Sequence, residues 1–462
     1  MSVLGLVMII SYIPLLIYSL VGNKARWIAL NVSIFVALFN NLGTVVSSIT
    51  FSDYAMYMLL IICVIEVIKK KQFKISKKYV FASIFLLTVV GIGIIYLISP
   101  LQKPLVLLMQ TNMDKAYAGL GYVEEARFTY ANLYAIIRFI TFIGVLVLCS
   151  DFLQQEQYVE RLMHNIYIAY IIFFGFATIE FLINNFVSST IIRDFILNII
   201  GDYDPDKTYY PRNRYGYYGF VCLYSEESYI SMLLPFFGIV YQKGVNNFKE
   251  MLFFLWGSLV LLMSGCTTGL TILLFPILIL ARIVIKKIPR RRHPLNLLWI
   301  KISVITCCIA GIGIAIFQRE QLTSIVSAVF QKVQTMIVGA QSVTSSEIMS
   351  ADIRNYGNTV ALNAFKVSPL FGVGIGTTRG YGMLTGFMAT FGLLGIAAYL
   401  YFFYTLFGLN INKKKLLAAI YVGYLSTVLS VNFVYSFVMI PIFLLFSKQY
   451  NKENNRRIYV QS

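Results

Sequence analysis

Residues 80–99 read VFASIFLLTVVGIGIIYLIS, a run of 20 residues without a charged side chain. A helix needs about 20 consecutive apolar residues to cross the hydrocarbon core of a bilayer. The basic cluster KKKQFKISKK at 69–78 precedes this run. The sequence therefore predicts a membrane-spanning helix that begins next to a basic, cytoplasmic surface.

Similar apolar runs occur along the whole chain of 462 residues, which is 58% hydrophobic and only 13% charged. Soluble domains carry about 25% charged residues, so this composition excludes a soluble protein. We predict an all-α polytopic integral membrane protein, a single transmembrane domain over residues 1–462, with about 13 transmembrane helices (about 12–14). The predicted spans are 2–20, 27–47, 51–68, 80–99, 132–150, 165–185, 221–241, 251–264, 268–285, 297–317, 381–407, 416–432 and 434–448.

Basic residues set the predicted orientation, because cytoplasmic loops are rich in Lys and Arg. Three basic clusters fall on one side when the spans alternate: 69–78, 282–293 and 413–415. That side is assigned to the cytoplasm, so three long extracytoplasmic loops are predicted: 100–131, 186–220 and 318–380. The net charge of +18 is then explained by contact with anionic plasma-membrane lipids, and no nucleic-acid partner is needed.

The second outer loop and the start of the next span are dense in tyrosine, with eight tyrosines between 203 and 229. Aromatic rings pack against sugar faces, and the planar Arg side chain binds phosphate oxygens in pairs. The pattern therefore predicts a site for a sugar phosphate, with an interfacial aromatic belt as the alternative. The candidate residues are Arg212, Arg214, Tyr215, Tyr217, Glu226 and Glu227.

The third outer loop contains SADIRNYGNTVALNAFKVSPLFGVGIG at 350–376. A helix is predicted from Ser350, which acts as its N-cap, and a glycine-rich turn follows Pro369. Glycines let backbone amides approach an anion and form a nest, although such turns also occur where a span begins. We predict a diphosphate site made of Arg354, Asn358, Lys366, Gly372, Gly374, Gly376 and Arg379. An amphipathic helix on the outer membrane surface is predicted at 322–337.

Arg138 and Glu180 lie inside predicted spans, where an ionisable residue is either functional or paired. Because their spans are consecutive, we predict that they pair, in a structural or a functional role. The only two histidines, His164 and His293, fall on the predicted inner side. Chemistry on the outer face must therefore work without a histidine base, and we predict no metal and no cofactor.

Three segments resemble the O-antigen and capsular polysaccharide polymerases (Wzy type) of the wider O-antigen polymerase and ligase group. They are RNRYGYYGFVCLYSEESYISMLLPFF (212–237), LLMSGCTTGLTILLFPILI (261–279) and ADIRNYGNTVALNAFKVSPLFGVGIGTTRGYGMLTGFMATFGLLGIAAY (351–399). The resemblance implies a GT-C-like glycosyltransferase in the plasma (inner) membrane, with its active site on the extracytoplasmic face. Its substrates would be undecaprenyl-diphosphate-linked glycans, and a polysaccharide chain-length regulator is an implied partner.

The implied reaction transfers a growing chain from its lipid diphosphate to the terminal sugar of an incoming lipid-linked repeat. Glu226 or Glu227 is expected to act as the catalytic base. Five arginines are expected to bind the diphosphate: Arg138, Arg212, Arg214, Arg354 and Arg379. Because the leaving group is already activated, such a site mainly positions substrates and stabilises charge.

Three other functions stay open. The ligases of the same group carry a histidine after the glycine turn, where this chain reads GTTRGYGML at 376–384, which favours the polymerase. A lipid-linked oligosaccharide flippase or another transporter is typically built from repeats with broken helices, and the sequence shows no repeat. A membrane scaffold or receptor without catalysis is the third.

Overall fold

The structure is a computed structural model in which most described residues are helical. It describes residues 3–22, 24–38, 44–46, 49–70, 75–99, 101–108, 123–200, 213–214, 217–221, 233–243, 245, 248–264, 269, 272–273, 276–277, 279–280, 345–409 and 434–448. The predicted spans 297–317 and 416–432, most of 268–285, and the predicted surface helix at 322–337 lie outside these residues.

Helices and strands are numbered in chain order among the described residues. The helices are α1 Val3–Val21, α2 Ala25–Leu38, α3 Phe51–Lys70, α4 Lys77–Ile98, α5 Tyr130–Leu148, α6 Ser150–Gln154, α7 Glu156–Phe186, α8 Ile191–Ile200, α9 Leu234–Lys243, α10 Phe248–Met263, α11 Ser345–Val367, α12 Met383–Phe407 and α13 Met439–Phe446. The strands are β1 Thr44–Val46, β2 Ile49–Thr50, β3 Leu105–Val106, β4 Glu124–Glu125, β5 Asn213–Arg214 and β6 Tyr217–Tyr218, which pair as β1–β2, β3–β4 and β5–β6.

Five helices in the described part of the chain are long and apolar enough to cross a membrane: α3, α4, α5, α7 and α12. Large apolar side chains on their outer surfaces, such as Phe81, Ile95 and Leu393, are exposed. Apolar surface on this scale marks contact with lipid. The protein is therefore a mostly helical membrane protein, as predicted, while the total of 13 spans and the orientation remain predictions.

Some predicted boundaries are wrong. Helix α2 ends at Leu38, and residues 44–46 of the predicted span 27–47 form strand β1, which suits the β-branched sequence Thr-Val-Val. The last predicted span, 434–448, contains the eight-residue helix α13, which is buried and only about 12 Å long. Helix α11 begins at Ser345, so Ser350 is inside the helix and is not its N-cap.

The chain groups into two compact units. The first contains residues 166–341 with the short segments 1–4 and 41–44, and the second contains the remaining residues. In the second unit, α12 packs along α4 and against α11, and α3 packs against α2 and α5.

Ring stacking joins α12 to α13 in the second unit, where the centroids of Phe403 and Phe443 lie 3.9 Å apart. In the first unit, the ring of Phe174 on α7 meets Phe236 on α9 edge-on at 4.8 Å. Gly257 of α10 makes room for this pair, because a Cβ there would lie 2.8 Å from each ring. Aromatic rings therefore pack in the core of both units.

A buried arginine joins three helix ends in the second unit. Arg26 is 2% exposed, and its Nη2 lies 2.6 Å from Asp151 Oδ2. Its Nε lies 3.4 Å from Glu66 Oε2. Arg26 lies near the start of α2, Glu66 near the end of α3, and Asp151 just after α5. These three helix ends, all predicted to face the cytoplasm, therefore lie at one end of the bundle.

Candidate functional site

Helix α12 is broken at Gly392, whose backbone has φ 62° and ψ −178°. A break inside a membrane helix exposes backbone groups that need hydrogen-bond partners, because lipid supplies none. The glycine turn supplies donors to the first half of the helix. The N–H of Val373 donates to the carbonyl of Ala389 at 2.8 Å, and the N–H of Gly374 donates to that of Thr390 at 3.2 Å.

The same turn also supplies acceptors to the second half of α12. The N–H of Leu393 donates to the carbonyl of Pro369 at 2.8 Å, and the N–H of Leu394 donates to that of Leu370 at 3.0 Å. Four backbone hydrogen bonds therefore join the turn to the broken helix, two in each direction. We call this arrangement, formed by residues 369–374 and 389–394, the backbone clamp.

The glycines of the clamp are explained by close backbone approach. Gly372 has φ +69°, and a Cβ there would lie 2.5 Å from the carbonyl oxygen of Thr390. Gly374 lies against α4, where a Cβ would be 3.0 Å from the carbonyl oxygen of Gly93. The N–H groups of Gly372 and Gly374 already donate to the carbonyls of Ser368 and Thr390. The predicted anion nest is therefore wrong for these two amides, because both are used inside the protein.

Asn132 ties the glycine turn to the start of α5 and is completely buried. Its Nδ2 donates to the carbonyl of Ile375 at 2.7 Å and to Thr377 Oγ1 at 2.8 Å. Its Oδ1 accepts from the N–H of Thr129 at 2.7 Å and so caps α5. Gly376 also packs here, since a Cβ at that position would lie 2.6 Å from the carbonyl oxygen of Ala131.

Replacing Asn132 with Ala should lower the free energy of unfolding by about 2–4 kcal/mol, because buried partners lose their hydrogen bonds and α5 loses its cap. Thermal unfolding of the purified protein in detergent measures the change. Asn363→Ala is the matched control, since Asn363 is exposed on α11, and a change within about 0.5 kcal/mol is expected. Equal effects of the two substitutions would contradict the role of Asn132.

Arg138 pairs with a carboxylate that the sequence analysis did not single out. Its Nε lies 2.7 Å from Asp53 Oδ1, and its guanidinium lies 5.4 Å from the ring centre of Tyr435. The hydroxyl of Thr50 donates to Asp53 Oδ2 at 2.6 Å, and the hydroxyl of Tyr134 donates to the same oxygen. Asp53 is completely buried. The charge of Arg138 is therefore balanced within the protein, which favours a structural role over a diphosphate clamp.

The predicted Arg138–Glu180 pair is wrong, because Arg138 pairs with Asp53 instead. Glu180, in the first unit, accepts a hydrogen bond from the N–H of Val221 at 3.0 Å. The order of the spans in the chain favours Glu180, whereas the packing of α3 against α5 places Asp53 beside Arg138.

In the second unit, the helix that carries Arg354 contacts the chain around Arg379. Gly357 follows Arg354 by three residues, so both lie on one face of α11. A Cβ at Gly357 would lie 2.5 Å from the Tyr381 ring and 3.6 Å from the carbonyl oxygen of Arg379. The turn of α11 that follows Arg354 therefore packs against the chain around Arg379.

Asn358 strengthens the contact between α11 and the chain around Arg379, whereas Lys366 lies away from this contact. Asn358 Oδ1 accepts from the N–H of Gly382 and from the hydroxyl of Thr385, both at 2.8 Å, and so holds the start of α12. Lys366 is exposed and lies about 18 Å along the helix from Arg354. The structure thus brings together the positions of Arg354, Asn358 and Arg379 but not Lys366.

The first and third predicted outer loops meet beside this cluster. The N–H of Arg379 donates to the carbonyl of Leu107 at 2.7 Å, and Leu108 forms an antiparallel bridge with Thr378. Strand β3 pairs in turn with β4, with Leu105 opposite Glu125. The segment after α4, which contains β3, therefore packs beside the Arg354 helix.

In the first unit, the tyrosine-rich loop contains a short hairpin. Arg214 on β5 pairs with Tyr217 on β6, whose hydroxyl donates to the carbonyl of Leu262 at 2.8 Å. The remaining predicted site residues of this loop lie outside the described residues: Arg212, Tyr215, Glu226 and Glu227.

The residues that the sequence analysis missed share one signal, a polar side chain at the end of an apolar run. Asp53 follows the start of a predicted span, and Asn132 is the first residue of another. Polar groups at such depth need partners, and this need could have identified both. Gly392 carried no comparable signal, because a single glycine in a membrane helix is ordinary.

A scan against models of known protein families finds no match to this chain, and a search of curated proteins also finds no match.

Proposed function

We propose that this protein polymerises undecaprenyl-diphosphate-linked oligosaccharide repeat units into a surface polysaccharide such as O-antigen, capsule or exopolysaccharide. The observation that carries the proposal is that the chain around Arg379 packs against the face of α11 that carries Gly357, one turn after Arg354, and against the segment that follows α4. Two arginines from neighbouring segments suit a diphosphate, which carries several negative charges. The proposed orientation puts this face outside the plasma membrane.

In the proposed reaction, the terminal sugar hydroxyl of one lipid-linked repeat attacks the anomeric carbon of the growing chain. The bond between that carbon and the lipid diphosphate breaks, and the hydroxyl proton passes to a carboxylate, for which Glu226 and Glu227 are the candidates. The arginines stabilise the charge of the departing diphosphate. The backbone clamp and Asn358 hold the Arg354 helix in place during the transfer, so that Arg354 keeps its orientation towards the diphosphate.

Replacing Arg354 with Ala should lower the yield of long chains about 100-fold or more, because a charge-stabilising donor is lost. Single repeats on the lipid carrier should accumulate on the outer face of the membrane. Arg354→Lys should recover only part of the activity, since Lys cannot bind two phosphate oxygens through a planar fork. Gel analysis of the lipid-linked glycans and of the polymer measures the effect.

Arg161→Ala is the control for Arg354→Ala, because it also removes an arginine and Arg161 is exposed on α7, at the other predicted face. Both variants must be present in the membrane at the level of the unchanged protein. Chains of normal length and yield from Arg354→Ala would contradict the proposed function.

One observation favours a second candidate, a lipid-linked oligosaccharide flippase. Discontinuous helices are typical of transporters, and α12 is discontinuous at Gly392. The break is filled by the glycine turn through the backbone clamp, which favours a structural use of the break. Loss of the protein separates the candidates: repeats trapped on the inner face indicate a flippase, and single repeats on the outer face indicate a polymerase. Long unattached chains would indicate a ligase.

A further inference from the structure

The C-terminal end of α7 carries three polar residues that the proposed reaction does not use, and two of them are buried. Glu180 is 2% exposed and Asn184 is 4% exposed, and Asn185 follows directly. Polar side chains are costly at the end of a membrane helix unless they make hydrogen bonds. All three bond to the backbone of one extended segment, residues 217–221.

Asn185 makes two hydrogen bonds to a single residue of that segment. Its Nδ2 donates to the carbonyl of Tyr218 at 2.8 Å, and its Oδ1 accepts from the N–H of Tyr218 at 2.9 Å. The adjacent Tyr217 pairs with Arg214 across the hairpin. Asn185 therefore bonds to the outer edge of β6 as a neighbouring strand would. Because β6 pairs with β5, Asn185 also fixes the position of β5, which contains Arg214.

The two other residues continue the contact along the segment. Asn184 Nδ2 donates to the carbonyl of Gly219 at 2.9 Å. The N–H of Val221 donates to Glu180 Oε1 at 3.0 Å. The chain is thus held at three of its five residues just before it continues towards Glu226 and Glu227. A one-residue slip would turn every side chain of the segment to the opposite face.

We infer that Glu180, Asn184 and Asn185 are positioning residues, which hold segment 217–221 in one register and thereby place Arg214. Their effect on polymerisation rests on the proposed function, whereas their effect on the segment does not. Glu180 Oε1 accepts the hydrogen bond from the N–H of Val221, and the amide oxygen of Gln can accept the same bond.

The first measurement is hydrogen exchange of the backbone amides in the full-length protein in detergent. Asn185→Leu should speed exchange at Tyr218 about tenfold or more, and Glu180→Leu should do so at Val221, because each amide loses its acceptor. Glu180→Gln keeps an oxygen acceptor and should retain protection at Val221. Gln157→Leu removes an exposed polar group at the other end of α7 and should leave both amides unchanged.

The second measurement is polymer yield in cells at matched membrane levels of each variant. Asn185→Leu and Glu180→Leu should lower the yield about tenfold, since small displacements of a binding group are costly, while Glu180→Gln should stay near the unchanged protein. Equal loss of yield in Glu180→Gln and Glu180→Leu would overturn the role as an acceptor. Unchanged exchange at Tyr218 in Asn185→Leu would overturn the positioning role itself.

The two proposals fail in different ways. If the polymerase function is wrong, Arg354→Ala leaves chain length unchanged while the exchange results still hold. If the positioning role is wrong, Arg354→Ala abolishes long chains while Asn185→Leu changes neither exchange nor yield.

Discussion

Replacing Gly392 with Ala should lower the free energy of unfolding by at least about 3 kcal/mol, because two costs combine. The backbone at φ 62° and ψ −178° belongs to a region that only glycine occupies readily. In addition, the new Cβ would lie 2.4 Å from the carbonyl oxygen of Leu370. That oxygen accepts the hydrogen bond from Leu394, so it cannot move away without breaking the backbone clamp. Thermal unfolding in detergent, together with the amount of protein in the membrane, measures the loss.

Gly91→Ala is the matched control, because Gly91 lies within α4 and a Cβ there would meet no atom within 4 Å. Ala is favoured over Gly in a helix by about 1 kcal/mol, so this variant should be as stable as the unchanged protein or slightly more so. If the Gly392→Ala protein unfolds at the same temperature as the control, the backbone clamp does not hold α12 in the described form.

Replacing Asp53 with Leu should lower the free energy of unfolding by about 3–5 kcal/mol, because Arg138 then keeps a buried charge without its partner. Thr50 and Tyr134 also lose the carboxylate oxygen to which their hydroxyls donate. Urea or thermal unfolding measures the change. The effect should exceed that of any substitution at the exposed pair Arg127–Glu124, whose arginine is 60% exposed, since such pairs contribute about 0–1 kcal/mol.

The double variant Asp53→Leu with Arg138→Met removes both buried charges. Apolar replacements of a buried ion pair are often neutral, so the double variant should recover at least half of the stability lost in Asp53→Leu. A double variant less stable than Asp53→Leu alone would mean that Arg138 stabilises the fold through Tyr435 or another contact more than through Asp53.

Local sequence patterns were enough to predict the long spans and the polar helix of the third loop. Apolar length alone identifies α4 and α12, and the polar run after 350 correctly predicted a helix that carries Arg354. The same reasoning failed at span ends, since residues 44–46 of a predicted helix form strand β1. Length and hydropathy do not distinguish a buried short helix such as α13 from a membrane span.

The contacts within the site could not be predicted, because they join residues far apart in the chain. The sequence offers Arg138 a carboxylate on more than one predicted span, Asp53 and Glu180, and only the packing of α3 against α5 selects Asp53. The glycines after Pro369 were correctly identified as a special backbone, but the partner of that backbone was predicted to be an anion. The actual partner is a broken helix, and nothing in the sequence around Gly392 indicates the break.

The contact between α5 and the glycine turn has a consequence for how the protein is made. Asn132 and Ile375 are separated by 243 residues, so α5 is synthesised and inserted long before its partner exists. During that interval the polar end of α5 and the surface around Gly93 on α4 lack the turn that covers them. The packing of the N-terminal spans is therefore complete only after residues 369–394 have been synthesised. A chain that stops before this point should be recognised and degraded as unfinished.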